Sequence, residues 1–410
     1  MSKIAKMAGI VPNSFEDYKC DANEVLKFRL VREEADITSH HWFRPDMSHQ
    51  VFGDQESIFG YKNLEIQMYY TAARLNTYLN IRYKDKVSPE KHEGLKPDDV
   101  IGSLAKEIPP GYYSNIDDFS AAIAKDTTFK PFGEKLHSYT VDEDGEKREF
   151  EIYKTDIECP GFREYHQRLQ TFVLFFIDAA SFIDVDDDRW SFYLLFEKYK
   201  SAGNTMYAIG GYMTVYNYYA YPSRHRPRIS QVLVLPPFQK QGHGAQLLQT
   251  FYNRCYGDSD ILDITVEDPS ESFQRLRDFV DARNCQKLKS FQPDKLKAGF
   301  DEDMVREARS KLKLNRRQIK RVYEILRLKV TNVNKKEEYT QYRLEIKRRL
   351  NIPFQKNGRD FEKLEKALMP DELSATLSCM TLQQRHQYLQ KAFEELEEVY
   401  RHVINRLDMA

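Results

Sequence analysis

The sequence predicts an α+β protein: a mixed central sheet flanked by helices, with a mixed α/β domain before it and a helical domain after it. Three observations lead there. Before about residue 270, several apolar runs alternate with a period of two, as strands with one buried face require. One of them passes straight into a glycine loop and a helical pattern, in "RISQVLVLPPFQKQGHGAQLL". Beyond Pro269 the apolar spacing changes to three and four residues, the period of amphipathic helices. The division that follows is 1–127, 128–270, 271–350 and a charged helical extension, 351–410.

The first part holds "LEIQMYYTAARLNTYLNIRY" (Leu64 to Tyr83), strand-like with a break near its middle. "IPPGYY" (Ile108 to Tyr113) signals a turn, and Asn115 is placed to cap a helix over "IDDFSAAIAK". In the second part, Ser138 to Ile157 reads as a hairpin with Asp144-Gly145 at its turn. After Pro160-Gly161, the residues Phe162, Tyr165, Leu169, Phe172, Val173 and Phe176 make one apolar helix face. "WSFYLLFEKYK" and "MYAIGGYMTVYNYYAY" form a second hairpin across "SAGN". "RISQVLVL", the glycine loop with its helix, and "ILDITVEDP" complete the sheet region. Four helical stretches follow, then a linker-like "FQKNGRD" (Phe354 to Asp360) and two or three charged helices.

Bulk properties narrow the function. The 410 residues carry a net charge of −1, so attraction of the whole molecule to nucleic acid or membrane is not indicated. Five scattered cysteines, with no CxxC pair, argue against a disulfide framework or a zinc cage. The opening residues lack an apolar core of signal-peptide length, and no window approaches the roughly 20 apolar residues of a membrane span. A soluble intracellular protein is expected. Charge is uneven: from Arg309 to Arg349 fifteen Lys and Arg stand against four acidic residues, while acidic knots lie at Asp184 to Asp188 and around Asp54 and Glu56. Solvated faces would explain these; so would an acidic groove for a basic substrate and a basic arm for something else.

The glycine loop is the first chemical signal. A strand handing over to a helix presents unpaired N–H groups and a partial positive charge, which suit a phosphate. A nucleoside-triphosphate loop would need a Lys-Ser or Lys-Thr pair, and none follows. A dinucleotide fold would need a third glycine, where Leu247 stands. What remains is Gln239, Lys240, Gln241, Gly242, His243, Gly244: Q-x-x-G-x-G, an ordinary tight turn or a ligand loop.

That pattern resembles the coenzyme A pyrophosphate loop of the GCN5-related N-acetyltransferases. With "SFIDVDDDRW", "GYMTVYNYY", "RPRISQVLVL", "DITVEDPS" and "LRDFV", the sequence is similar to the type B histone acetyltransferase catalytic subunits, most clearly between about residues 45 and 350. The resemblance implies the GCN5-related N-acetyltransferase fold and acetyl-CoA as cosubstrate, with no metal. Val232, Leu233 and Val234 would line the pantetheine arm, and Gln239, Lys240, Gln241, Gly242, His243, Gly244 and Ala245 would cradle the pyrophosphate. Phe279 would pack against the coenzyme; on periodicity alone it is equally a core aromatic.

Only a neutral amine attacks a thioester, and a lysine, with a pKa of about 10.4, is scarcely neutral near pH 7. A base is needed. Glu267 and Asp268 end a strand, where α/β sites gather chemistry. The resemblance puts the base on Glu267, with Asp268 and Asp178 as helpers or rivals. The family's pattern has Glu where this chain has Asp178, one methylene shorter, and Asp178 reads equally as a polar helix end. The resemblance further implies that Asp54, Gln55 and Glu56 meet a basic tail, and that Trp190, Tyr216, Asn217 and Tyr218 frame the lysine's path. A strand with one buried face would also explain the "YNYY" run. His40, His41 and His49 lack a ligand set and read as surface or core histidines.

The function implied is acetyl transfer to lysines of the amino-terminal tail of newly synthesised histone four, by direct attack, since no cysteine adjoins the loop. A WD-repeat histone chaperone of the retinoblastoma-binding kind is the implied partner, with residence in cytoplasm and nucleus and no requirement for nucleic acid or membrane. Two other readings stay open: an acetyltransferase for a polyamine or a protein amino terminus, and a non-catalytic histone-binding scaffold.

Overall fold

The computed structural model describes residues 13–354 apart from 91, 93 and 144, together with 369 and 382–409. Asp144, expected at a hairpin turn, and 355–360 of the expected linker lie outside the described residues. Two compact units emerge: one from the chain up to Tyr218 with Arg228–Phe251, the other from Tyr219–Pro227 with the chain from Tyr252 onward.

In the first unit, β1 (Leu26–Val31), β2 (Glu65–Thr71) and β3 (Thr77–Arg82) form a three-stranded sheet in that order, the first pair parallel and the second antiparallel. The break between β2 and β3 falls at Leu75, whose backbone is left-handed (φ 57). Asn115 caps the helix Ile116–Ile123 by accepting from the Asp117 N–H at 2.8 Å, and Phe119 on that helix packs on Tyr69 and Tyr78. Five of the strands of a six-stranded second sheet are long: β4 (Glu134–Glu143), β5 (Glu146–Thr155), β6 (Trp190–Ser201), β7 (Asn204–Ala220) and β8 (Arg224–Val234), side by side in that order. The pairs from β4 to β7 are antiparallel. Both expected hairpins are therefore present.

The single helix expected after Gly161 is divided. Phe162–Leu169 and Val173–Phe176 are α-helical, and a 3₁₀ turn over Gln170–Phe172 joins them. A tighter turn changes the angle without turning the apolar face outward, so all six residues of that face remain buried.

One buried carboxylate ties the sheets together. Glu197 on β6 is 4% exposed and accepts from Arg148 on β5 at 2.9 Å and from Arg32, just past β1, at 2.5 Å. Burial alone would raise its pKa; the two guanidinium groups outweigh burial and hold it below the usual carboxylate range.

The second unit is mainly helical: Glu271–Cys285, Glu302–Leu312, Arg316–Val330, Lys336–Leu350 and Leu382–Met409 are its long helices. Much of the basic run from Arg309 to Arg349 is neutralised inside this unit. Arg316 grips Glu302, Lys320 meets Glu345, Arg321 meets Asp278, Lys329 meets Asp408, and Arg349 binds the buried Glu324, which Tyr400 also contacts. Part of the surplus of cations is thus structural. No helix among the described residues is long and apolar enough to cross a membrane.

His166, on the helix Phe162–Leu169, is fully buried, and neither ring nitrogen has a hydrogen-bond partner among the described residues. Burial lowers its pKa from the ordinary 6.5 to about 4. Between those values the unfolded chain binds a proton that the folded chain refuses, so stability falls as pH drops from 6.5 toward 4. Urea unfolding at pH 7 and pH 5 is expected to show this loss, and His166→Leu is expected to lose less. Equal losses in the two proteins would show that His166 is not buried neutral.

Candidate active site

The glycine loop takes its form from the strand before it. Along β8 burial alternates, so Leu233 points into the core while Val232 and Val234 are half-exposed. A 3₁₀ turn over Pro236–Phe238 anchors Phe238 inside, and the Gln239 side chain donates back to the Val234 carbonyl at 2.9 Å. Lys240 (φ 63) and Gly242 (φ 89) then adopt left-handed backbone on either side of Gln241. The Gly242 carbonyl accepts from the Ala245 and Gln246 N–H groups, starting the helix His243–Cys255. A Cβ on Gly242 would meet nothing within 4 Å, so space lies open over the loop. An exposed, strained turn at a helix start is the geometry in which backbone N–H groups receive a phosphate.

Gly211 lets β8 lie where it does. A β-bulge interrupts β6 and β7 between Leu195 and Phe196, and beside it the Leu235 N–H donates to the Gly210 carbonyl at 2.9 Å. A Cβ on Gly211 would stand 2.4 Å from the Leu233 carbonyl oxygen, which is impossible without moving β8. Sequence reasoning missed this residue; the Gly210-Gly211 pair inside a strand pattern was the available signal.

A second feature gathers residues that are far apart in sequence. Met47, His49, Asp54, Glu56 and Asp178 line one open cavity of about 330 Å³. Three carboxylates chosen from sequence therefore share a site. They differ in freedom. Glu56, with left-handed backbone (φ 47), accepts from the Ser48 and His49 N–H groups and from Asn23. Those bonds, the Ser48 N–H foremost, hold its pKa below the usual range. Asp178 is 77% exposed and faces the His49 imidazole at 3.4 Å, whose other nitrogen lies 3.7 Å from Glu56. Asp54 is exposed. His49, read from sequence as a surface or core residue, is partly exposed and stands between two carboxylates of the cavity. Gln55 belongs to a neighbouring concavity with Lys19, Phe52 and Phe59.

The aromatic residues form a ladder. Trp190 on β6 is paired with Tyr216 on β7, ring centroids 4.9 Å apart, and Tyr216 meets Tyr218 at 4.6 Å. The Tyr216 hydroxyl donates to Asp187 at 2.8 Å, and Asp187 also binds Arg189, which holds its pKa well below the usual range. Asn217 spends its amide on the Arg189 carbonyl and the Ser191 hydroxyl. Arg189 and Arg228 lie over the rings of Tyr216 and Tyr218, so these faces already attract cations.

In the second unit, Glu267 and Asp268 follow the short strand Thr265–Val266; both are exposed, and Asp268 has left-handed backbone (φ 28). Phe279 is buried on the helix Glu271–Cys285, with the guanidinium groups of Arg406 at 4.1 Å and Arg283 at 5.3 Å from its ring. No cluster of His, Cys, Asp and Glu among the described residues is arranged to hold a metal.

Comparison with known proteins gives concordant matches. Residues 18–178 match a family model described as the amino terminus of the histone acetyl transferase HAT1, and residues 277–328 one described as the carboxy-terminal part of the type B histone acetyltransferase catalytic subunit. The Homo sapiens type B histone acetyltransferase catalytic subunit is 49% identical over 97% of this chain and 95% of its own length. The corresponding protein of Cryptococcus neoformans is 32% identical over 95% of this chain and 98% of its own. Among solved structures, an aminoglycoside acetyltransferase from an uncultured soil metagenomic sample aligns over 31% of this chain and 83% of its own, at 17% identity and a TM-score of 0.23.

Gly211→Ala tests the close approach of β7 to β8. Because the clash is with backbone, the variant is expected to lose roughly 1–3 kcal/mol of stability, read as a lower urea midpoint. An unchanged midpoint would mean that the two strands separate without cost.

Proposed function

From the premise that the chain belongs to the family of type B histone acetyltransferase catalytic subunits, we propose that it acetylates lysines in the amino-terminal tail of newly synthesised histone four, using acetyl-coenzyme A. The observation that carries this reading is the loop from Gln239 to Ala245: exposed at Gln239, Lys240 and Gly242, left-handed at two positions, open above Gly242 and placed at the start of a helix. These residues fit a pyrophosphate, and Val232 and Val234 present a half-exposed strand surface for the pantetheine arm. Acetyl-coenzyme A supplies the activated acetyl group; positioning the lysine and removing its proton fall to the chain.

The acidic cavity suits a basic peptide. Asp54, Glu56 and Asp178 lower the energy of an approaching ammonium group, and the ladder of Trp190, Tyr216 and Tyr218 offers aromatic faces to its stem. A cationic tail gains from both; an uncharged acceptor gains from neither. The ammonium must then lose a proton, and we assign the general base to Glu267, with Asp268 and Asp178 as helpers or rivals. Transfer goes directly to the amine. A WD-repeat histone chaperone as partner and residence in both cytoplasm and nucleus complete the proposal, on the strength of family membership alone.

Glu267→Gln keeps the side chain's size and removes its proton affinity. As general bases typically contribute about 10²–10⁴-fold, kcat is expected to fall by at least two orders of magnitude with coenzyme affinity nearly unchanged. Raising the pH should partly restore the rate, because more substrate amine is then neutral. A variant within threefold of the parent at neutral pH would move the base to Asp268 or Asp178.

Asp54→Asn is expected to raise the KM for a histone-four peptide several-fold at low salt. An exposed charge contributes roughly 0–1 kcal/mol, and screening should erase the difference at high ionic strength. A KM equal to the parent's at low salt would remove Asp54 from the peptide site.

A further inference from the structure

The side chains of Gln241 and His243 occupy the variable positions of the loop motif, and both turn away from the open space above it. His243 is 1% exposed, its ring 4.1 Å from that of Phe150 on β5. The Tyr139 hydroxyl on β4 lies 2.7 Å from its Nδ1, and its Nε2 lies 3.0 Å from the Gln241 side-chain oxygen. The Gln241 amide nitrogen donates to Glu143 at 3.1 Å. Glu143 also accepts from Arg148, and Arg148 binds the buried Glu197.

The donor directions follow from one end of this chain of bonds. The Glu143 carboxylate accepts both from Arg148 and here, so Gln241 presents its NH₂ group there and its oxygen to His243. The proton of the imidazole must then sit on Nε2, leaving Nδ1 bare to accept from Tyr139. Of the two neutral tautomers only this one satisfies both nitrogens, and burial, which lowers the His243 pKa to about 4, keeps the ring neutral. The bonds run from the loop to β4, and through Glu143 to Arg148 on β5.

We propose that Gln241 and His243 are positioning residues, whose side chains do not contact the coenzyme but brace the loop from beneath through Tyr139 and Glu143, so that the loop's backbone N–H groups are held in binding geometry before the coenzyme arrives. This rests on reading the loop as the pyrophosphate site. Lys240 and Gly242, the left-handed residues, flank Gln241, so anchoring that one side chain fixes both. A preorganised loop spares the coenzyme the entropy of ordering it, and the benefit falls on binding more than on the chemical step.

The test is steady-state kinetics with histone-four peptide, and calorimetry with coenzyme A, for His243→Leu, Gln241→Leu, Tyr139→Phe and Gly242→Val. A net hydrogen bond is worth about two- to tenfold in an equilibrium constant, so His243→Leu, losing two, should raise the acetyl-coenzyme A KM and the coenzyme A Kd by about tenfold or more. Gln241→Leu should act likewise, and Tyr139→Phe several-fold. In all three the peptide KM should hold, and kcat at saturating cofactor should fall far less than the coenzyme KM rises. A merely structural role would instead reduce the active fraction, lowering kcat with both KM values intact, and that result would overturn the brace. Tyr139→Phe, which removes one oxygen, keeps the test valid if His243→Leu fails to fold. If Gly242→Val weakens coenzyme binding while the Gln241, His243 and Tyr139 variants do not, the brace is wrong and the loop assignment stands. If Gly242→Val also leaves coenzyme affinity unchanged, the loop is not the pyrophosphate site and the brace falls with it.

Discussion

Glu197 is a carboxylate that could not remain charged where it lies without its two arginines. Taking one charge out of water costs several kcal/mol, and the cost is offset only when geometry and hydrogen bonds are good on every side. Arg148 and Arg32 meet it from different strands, so the requirement to neutralise one buried charge fixes the relation of the first sheet to the second. Arg148 is itself held by two carboxylates, and the second, Glu143, reaches the loop through Gln241. A demand that begins as core electrostatics therefore ends at the surface turn where the coenzyme is expected.

Backbone strain is distributed in the same spirit. Non-glycine residues in left-handed conformation are uncommon, and each costs free energy that surrounding structure must offset. Among the described residues there are eight, and four stand at or beside positions singled out for function: Glu56, Ala179 next to Asp178, Lys240 and Asp268. The physical reason differs at each. Glu56 turns so that one carboxylate can accept from two successive N–H groups. Lys240 turns so that the chain can double back between β8 and the next helix. In both, the strain is local, and the bonds that compensate it come from residues at other points of the chain.

Much of this was legible in the sequence because it follows from periodicity. The two hairpins, the Asn115 cap and the strand-loop-helix unit at the glycines all depend on neighbours within a few residues. The break at Gln170–Phe172 was not legible, since a 3₁₀ turn keeps the same apolar side and leaves no gap in the pattern. Gly211 could be seen only as an oddity, because its meaning lies in the Leu233 carbonyl twenty-two residues away. The surroundings of His49 were hidden for the same reason. Its partners Glu56 and Asp178 are brought to it by different elements, and a lone histidine in sequence carries no sign of them. The basic stretch after Arg309 illustrates the converse: a count of charges cannot distinguish free cations from those already bound to Glu302, Glu324 and Asp408.

The three carboxylates of the acidic cavity show why that distinction matters for recognition. A carboxylate already holding N–H donors contributes its field but has few lone pairs left for a new partner, and Glu56 is of this kind. Asp178 is exposed but faces an imidazole, so an arriving ammonium must share or displace that contact. Asp54 has neither constraint. A basic chain entering the cavity would thus gain its long-range attraction from all three, its directional bonds mainly from Asp54, and an exchange with His49 at Asp178. Placing charges of unequal commitment around one small volume would let the proposed site attract a cationic peptide while holding any one of its residues only loosely. Loose holding would suit a flexible tail whose lysine must enter, react and leave.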